Sequence, residues 1–279
     1  VKTVLPAICL LFLVSIAPAQ TPPEKPAQPP PATTGGQAIP DATGASPQVV
    51  EILTQLERRS DGLKDIRCRI TFKETDSLDM TEMTKEGQIL FLMAEPNPKF
   101  LIHFERSVNA GIVGKQEWYL FDGRWLTEAI ERIQQVTRKE VVLPGEKQDF
   151  FDIEKSPFPL PFGQKKDKIL KNFDVEWVKP VSTDPSNTDH LVCKPKASSH
   201  LANKYDQLDF YVDRQVHLPR RVTIIGFEGF ETKQADFSDL SMKSINTGLT
   251  EKDFKPLDEW KGYEEVVEPA LPEPQEGNP

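Results

Sequence analysis

The sequence predicts a mainly β chain of the α+β class, in which an antiparallel meander curls into a barrel or half-barrel. Three observations carry this. Short runs rich in aromatic and β-branched residues follow one another closely, with turn residues between them. Only one stretch, Val49, Val50, Leu53 and Leu56, clearly repeats its apolar residues at helical spacing. Strands and helices do not alternate, which argues against a doubly wound α/β enzyme fold.

Taken in order, Lys2, the apolar run from Val4 to Ile16 and the small residues Ala17-Pro18-Ala19 read as a secretory signal peptide over 1–19, cleaved after Ala19. The run is shorter than the ~20 residues of a membrane span, and Ile8 before Cys9 does not suit lipidation. No other segment is apolar and long enough to cross a bilayer, so the mature chain is expected to be periplasmic or secreted, with no transmembrane segment. Residues 20–46 are proline-rich with almost no large apolar side chain, and read as a disordered linker. The folded domain is expected over 47–262. Residues 263–279 carry Glu264, Glu265, Glu268, Glu273 and Glu276 without Lys or Arg, and read as a solvated acidic tail.

Within the domain, Ser46-Pro47 is a helix start, and Asp61-Gly62 ends a helix reaching about Arg59. Ile66, Cys68, Ile70 and Phe72 alternate with polar residues as a half-buried strand. Strands are then expected over 87–93, 99–105, 117–121, 124–128 and 133–140, with Asp122-Gly123 as a hairpin turn. Further strands follow over 173–178, 190–194, 207–212, 220–225, 231–237 and 238–244. The segment 144–173 differs. It holds Phe150, Phe151 and Ile153, then Phe158, Leu160 and Phe162 interleaved with Pro157, Pro159 and Pro161, then a Lys-rich amphipathic stretch. A long proline-stiffened loop with large apolar side chains must cover something apolar, either as a fixed plug or as a lid over a ligand cavity.

Composition excludes several functions. With 34 Lys+Arg against 43 Asp+Glu, a net charge of −9 suits no nucleic-acid partner. The four histidines are scattered and no HExxH or CxxC occurs, so neither zinc nor another cofactor is expected. GxSxG, GxxxxGK[ST] and a post-strand GxGxxG are also missing. Asp206 with Asp209, or Asp236 with Asp239, are more simply solvated turn residues than catalytic pairs, and no enzyme is expected. Cys68 and Cys193 form one disulfide or stand as two small buried hydrophobes.

The sequence is richest in apolar stripes. Phe100, Ile102 and Phe104 share one strand face, Trp118 and Leu120 another; Leu208, Phe210 and Val212, then Val222 and Ile224, repeat the pattern. The default reading is a packed core. One clear helix and one shorter helical stretch are little cover for so many strands, however, so part of this surface is expected to line a cavity, with Phe158, Leu160 and Phe162 near its mouth.

These residues carry a resemblance. From Val49 to Pro256 the chain resembles the LolA-like half-barrel superfamily, whose type member is a periplasmic lipoprotein carrier. ILTQLERRSDGLKDIRCRITFKET is similar to the family's first helix and strand, and EGQILFLMAEPNPKFLIHF to its second and third strands joined at a proline turn. WYLFDGRWLTEAIERIQQV resembles its DG hairpin, the stretch CKPKASSHLANKYDQLDFYVDRQVHLPRRVTI a later pair of strands, and LTEKDFKPLDEW its closing segment. The resemblance implies an open half-barrel whose concave face is covered by helices and loops; with the strands read from the residues, the expectation is about 10–11 strands, an N-terminal helix and a helix/loop lid. It further implies a non-catalytic protein that binds lipid or acylated lipoprotein on a concave apolar face. One departure stands out: before the proline of the second turn the carriers have a basic residue that latches the lid, and here Glu95 precedes Pro96. The alternative is an envelope interaction or sensor module with a fully packed barrel and a protein partner.

Overall fold

The computed structural model describes residues 44–147, 162–255 and 258–269. The expected signal peptide, most of the linker, Phe158, Leu160 and the end of the tail lie outside the described residues.

The first helix, α1 (Pro47–Asp61), forms for the reasons its sequence supplies. The Ser46 hydroxyl accepts a hydrogen bond from the Val49 amide at 3.3 Å, proline occupies the first turn, and Arg58 and Arg59 sit at the negative end of the dipole. Its inner face buries Val49, Ile52, Leu53 and Leu56.

Strands follow in one sheet. They are β1 (Asp65–Asp76), β2 (Thr81–Leu92), β3 (Lys99–Asn109), β4 (Ile112–Gly114), β5 (Glu117–Phe121), β6 (Trp125–Ile130) and β7 (Gln135–Glu140). After a short helix α2 (Lys166–Asn172) come β8 (Phe173–Val178), β9 (Thr188–Pro195), β10 (Tyr205–Asp213), β11 (Pro219–Gly226), β12 (Glu231–Asp236) and β13 (Glu264–Glu268). Their spatial order is β13-β7-β6-β5-β3-β2-β1-β12-β11-β10-β9-β8, with β4 paired to β3 alone. All pairs are antiparallel except β13 on β7, and the edges β13 and β8 do not meet. The architecture is therefore the expected open α+β half-barrel.

Three expectations are corrected, and one open alternative is decided. Among the described residues the sheet has 13 strands, where about 10–11 are expected, because the three-residue β4 and the polar β13 join it. β1 and β2 are also longer than their apolar alternation shows, and the added length is polar: they run on to Asp76 and from Thr81, held by cross-strand pairs such as Lys73 with Glu82 at 3.0 Å. The supposed strand 238–244 is a series of turns, because Arg69 N donates to Asp239 Oδ1 at 2.8 Å and Ser244 folds back on Ser241. The acidic tail begins as structure, since Glu264–Glu268 pair with β7 and place Glu265 near Arg138 and Glu268 near Lys139, each at 3.5 Å. Of the two alternatives for Cys68 and Cys193 the second holds: both are free and buried, on strands separated by β12, β11 and β10.

The curl of the sheet has a local cause at Gly87. A register shift falls between Glu86 and Gly87 on β2, and a Cβ at position 87 would lie 1.9 Å from the His103 carbonyl oxygen. Only glycine lets β3 pass so close, and the bulge adds bend and twist beside Phe104.

Side chains on the two faces form separate clusters. The concave face gathers Ile66, Cys68, Ile70 and Phe72 of β1, Phe100, Ile102 and Phe104 of β3, and Tyr119 and Phe121 of β5. Leu191, Leu208, Phe210, Val222 and Ile224 continue it across β9–β11, with α1 and Ile169 and Leu170 of α2 as cover. The convex cluster is smaller. Leu101, Trp118, Leu120, Ala129 and Val136 are covered there by Leu249, Phe254 and Trp260 of the closing segment. Asp65 ties that segment to β1, accepting from the Thr247 amide at 2.6 Å, the Thr247 hydroxyl at 2.7 Å and the Gly248 amide at 3.0 Å.

Candidate functional site: the concave face and its polar end

Of the residues expected to line a cavity, Phe100, Ile102, Phe104, Phe162, Leu208, Phe210, Val212, Val222 and Ile224 come together in the concave cluster, each less than 5% exposed. Phe162 packs its ring 5.0 Å from Phe237 and 6.3 Å from Phe91, so the end of the proline-rich loop is seated deep in the half-barrel. Trp118 and Leu120 are placed elsewhere. They point to the convex side, where Trp118 meets Trp260 edge-on at 6.3 Å. On β5 it is Tyr119 and Phe121 that face inward, paired across β3 with Ile102 and Phe100. The run WYLF is apolar at every position, so its periodicity could not say which pair faces the core.

The loop is anchored at its near end by polar contacts. Lys147 Nζ lies 2.9 Å from Glu95 Oε2, and Asn97 Nδ2 donates to the Glu146 carbonyl at 3.1 Å. Glu95, which precedes Pro96, thus pairs with a basic residue at the near end of the loop. At the far end Lys165 Nζ approaches Asp61 of α1 at 2.5 Å, and Gly163 N donates to Ser60 Oγ at 3.1 Å.

One end of the concave face is not apolar. Lys85 of β2 is 1% exposed at its side chain, and its Nζ stands 2.5 Å from Glu117 Oε2. The Tyr119 hydroxyl donates to the same oxygen at 3.0 Å. Glu128 of β6 lies opposite Tyr119, and its Oε1 is shielded from solvent without a hydrogen-bond partner. The ammonium sits over the rings of Phe104 at 5.5 Å and Tyr119 at 5.9 Å, so the charged group is continuous with the aromatic cluster. Burial lowers the pKa of Lys85 and Glu117 opposes that shift; burial raises the pKa of Glu128, against the pull of Tyr119 and Lys139. Nearer the strand ends, Lys233 of β12 lies 2.8 Å from Glu231 and 3.6 Å from Glu74, whose carboxyl is also raised, chiefly by burial. Sequence reasoning missed this cluster. Lys85, Glu117 and Glu128 are distant in the chain, and only the register brings them onto one face.

Beyond it, the β1–β2, β3–β4 and β11–β12 connections lie side by side, since Asp76 pairs with both Thr81 and Glu231, and Met83 with Asn109. They present exposed Leu78, Met80, Ile112, Val113, Phe227 and Phe230 on one rim.

The candidate catalytic carboxylates do not pair with each other. Asp206 is exposed, whereas Asp209 is buried in the middle of β10 rather than solvated, and accepts from Gln207 Nε2 at 2.9 Å. Asp236 accepts from Arg221 Nε at 2.6 Å, and Asp239 is held by the Arg69 amide. On the same outer face His190 stacks on Tyr211 at 4.2 Å, with Asp184 and Asp209 at 3.6 and 3.7 Å from its two ring nitrogens. Among the described residues no group of three or more His, Cys, Asp or Glu is arranged to hold a metal ion, and no helix is long and apolar enough to cross a membrane.

Fold and site define an open antiparallel half-barrel whose apolar concave face is covered by a helix and a loop end and closed off on one side by buried charge. Among solved structures, the chain is similar to an uncharacterised conserved protein from Thermus thermophilus, at 11% identity and TM-score 0.44, over 79% of this chain and 99% of that one. It is also similar to a LolA superfamily protein from Nitrosomonas europaea, at 12% identity and TM-score 0.33, over 75% and 97%. A third is the MucA/MucB complex structure of Pseudomonas aeruginosa, at 12% identity and TM-score 0.41, over 75% and 61%. LolA-like structures are thus among those it is similar to. No protein-family model matches the sequence, and no curated protein matches it.

Proposed function

We propose that this protein is a non-catalytic, extracytoplasmic binder of lipid or acylated ligands, which takes an acyl chain between the concave face of the half-barrel and its cover. The observation that carries this reading is the cover itself. A wide inner face of aromatic and aliphatic side chains is roofed by one 15-residue helix, a seven-residue helix and Phe162, so displacing the loop end would uncover a continuous apolar surface. Each CH₂ of a chain laid on that surface contributes about 0.8 kcal/mol, so a single chain of ordinary length is enough for useful affinity. The exposed apolar residues on the rim suit exchange with a lipid phase. To test it, the protein is purified under native conditions, extracted with solvent and searched for lipid by mass spectrometry, and displacement of a fluorescent fatty acid is measured. A protein that carries no lipid and displaces no probe would overturn the reading.

A specific observation favours a second reading. The nine inward-facing residues are already packed to less than 5% exposure, as in a filled barrel whose outer surface recognises an envelope protein. In-cell cross-linking with and without residues 263–279 separates the two. A cross-linked partner lost with that segment, together with no lipid binding, would favour the interaction module.

A further inference from the structure

We infer that the charged end of the concave face is a head-group site, selective for acyl ligands whose head group is a cationic amine. The inference rests on the acyl-binding reading and adds to it a ligand chemistry. Lys85, Glu117, Tyr119 and Glu128 adjoin the apolar cluster without a break, through Phe104, which lies under the Lys85 ammonium and 6.4 Å from Phe72. An amphiphile whose chain lies along Phe72, Phe104 and Ile102 therefore brings its head group to these four residues.

The chemistry of the open valence decides which head group fits. The Lys85 ammonium is engaged by Glu117, and Lys233 by Glu231 and Glu74. Lys139 of β7, the other cation facing Glu128, also lies 3.5 Å from Glu268 on β13. What is left over is a single acceptor atom, Glu128 Oε1, which is shielded from water and takes no hydrogen bond, since the neighbouring Tyr119 hydroxyl donates to Glu117. A buried carboxylate oxygen without a donor is costly, and a buried ion pair stabilises a fold little, so structure alone gives weak reason to keep both at the edge of an apolar cleft. An amine supplies the missing donors and a positive charge. A carboxylate or phosphate head would meet Glu117 and bring no donor to Glu128 Oε1. Glu128 and Glu117 are only partly buried as residues, which leaves the cluster reachable from the rim.

The test uses the full chain and three probes that share one tail, dodecylamine, dodecanol and dodecanoate, each titrated by calorimetry at neutral pH below its aggregation concentration. The expected result is dodecylamine binding at least ten-fold more tightly than dodecanol, with dodecanoate weakest. Glu128→Gln, which keeps the shape and removes the ionisable carboxyl, is expected to abolish the amine preference while leaving dodecanol binding within two-fold. The comparison of the three probes on the unaltered protein stands beside the variant, so the amine preference is read even where Glu128→Gln does not fold. Dodecanol bound without any amine preference, or a preference that survives Glu128→Gln, overturns the head-group site and leaves the acyl reading standing. No binding of dodecanol overturns both.

Discussion

At the scale of single residues, the buried titratable groups account for the main expected responses. Burial raises the thiol pKa of both Cys68 and Cys193, so neither is an activated nucleophile. In the native state neither should react with a thiol reagent over minutes, and both should react once the chain is unfolded in denaturant without reductant. A requirement for reductant would show a bridge and contradict the free pair. Glu128 sets a pH dependence. Its folded pKa is raised while its unfolded value is about 4.3, so from there upward the folded state holds a proton that the unfolded state has released. Stability is then lost as pH rises through the folded pKa. Glu74 has the same sign, its carboxyl raised chiefly by burial against the pull of Lys233. Denaturant titrations across this range should show a decline that Glu128→Gln flattens in part, with a remainder from Glu74; an unchanged decline would remove Glu128 as its source. Asp213 behaves in the opposite way. Burial alone would raise its carboxyl, but the Val216 and Gln215 amides and Arg220 together hold it below the usual range.

The elements show how closely local sequence and tertiary contact divide the work. Ser46-Pro47 and Asp122-Gly123 are legible because a cap or turn depends on neighbours in the chain. The bulge at Gly87 is not, since its cause is the His103 carbonyl on another strand. Gly87→Ala should destabilise the protein by about 3 kcal/mol, because the added methyl meets backbone that cannot yield. A melting temperature equal to the parent's would show that β3 can move away. Strand β13 is the other instructive case. Its five residues are mostly exposed and carry three glutamates, a composition that reads as a tail, yet the edge of β7 offers unpaired backbone groups and the cations Arg138 and Lys139. Truncation before Glu264 should leave the fold intact and speed amide exchange in β7, as seen by hydrogen exchange with mass spectrometry. Unchanged exchange in β7 would mean that the strand contributes no protection.

For the whole molecule, the wide sheet and sparse helix create one dominant question, which is what the concave face holds. The aromatic residues there are numerous enough for a sizeable core, and Phe162 shows that the proline-rich segment contributes to it. If acyl ligands enter by displacing that loop end, Phe162→Ala should weaken the cover. Loss of a fully buried phenylalanine costs about 3–5 kcal/mol, so the variant should melt at a lower temperature and exchange a fluorescent fatty acid faster. Slower exchange, or none at all, would count against entry at that point.

What the sequence determined by itself was the architecture and its inner stripes. Period-two alternation in β1, β3, β10 and β11 names the inward residues, since a strand must put every second side chain on one face. The free cysteines, the convex placement of Trp118 and Leu120, and the cluster of Lys85, Glu117, Tyr119 and Glu128 were decided only by the tertiary structure. Each depends on register between strands distant in the chain, and a shift of one residue in that register would send every one of these side chains to the other face.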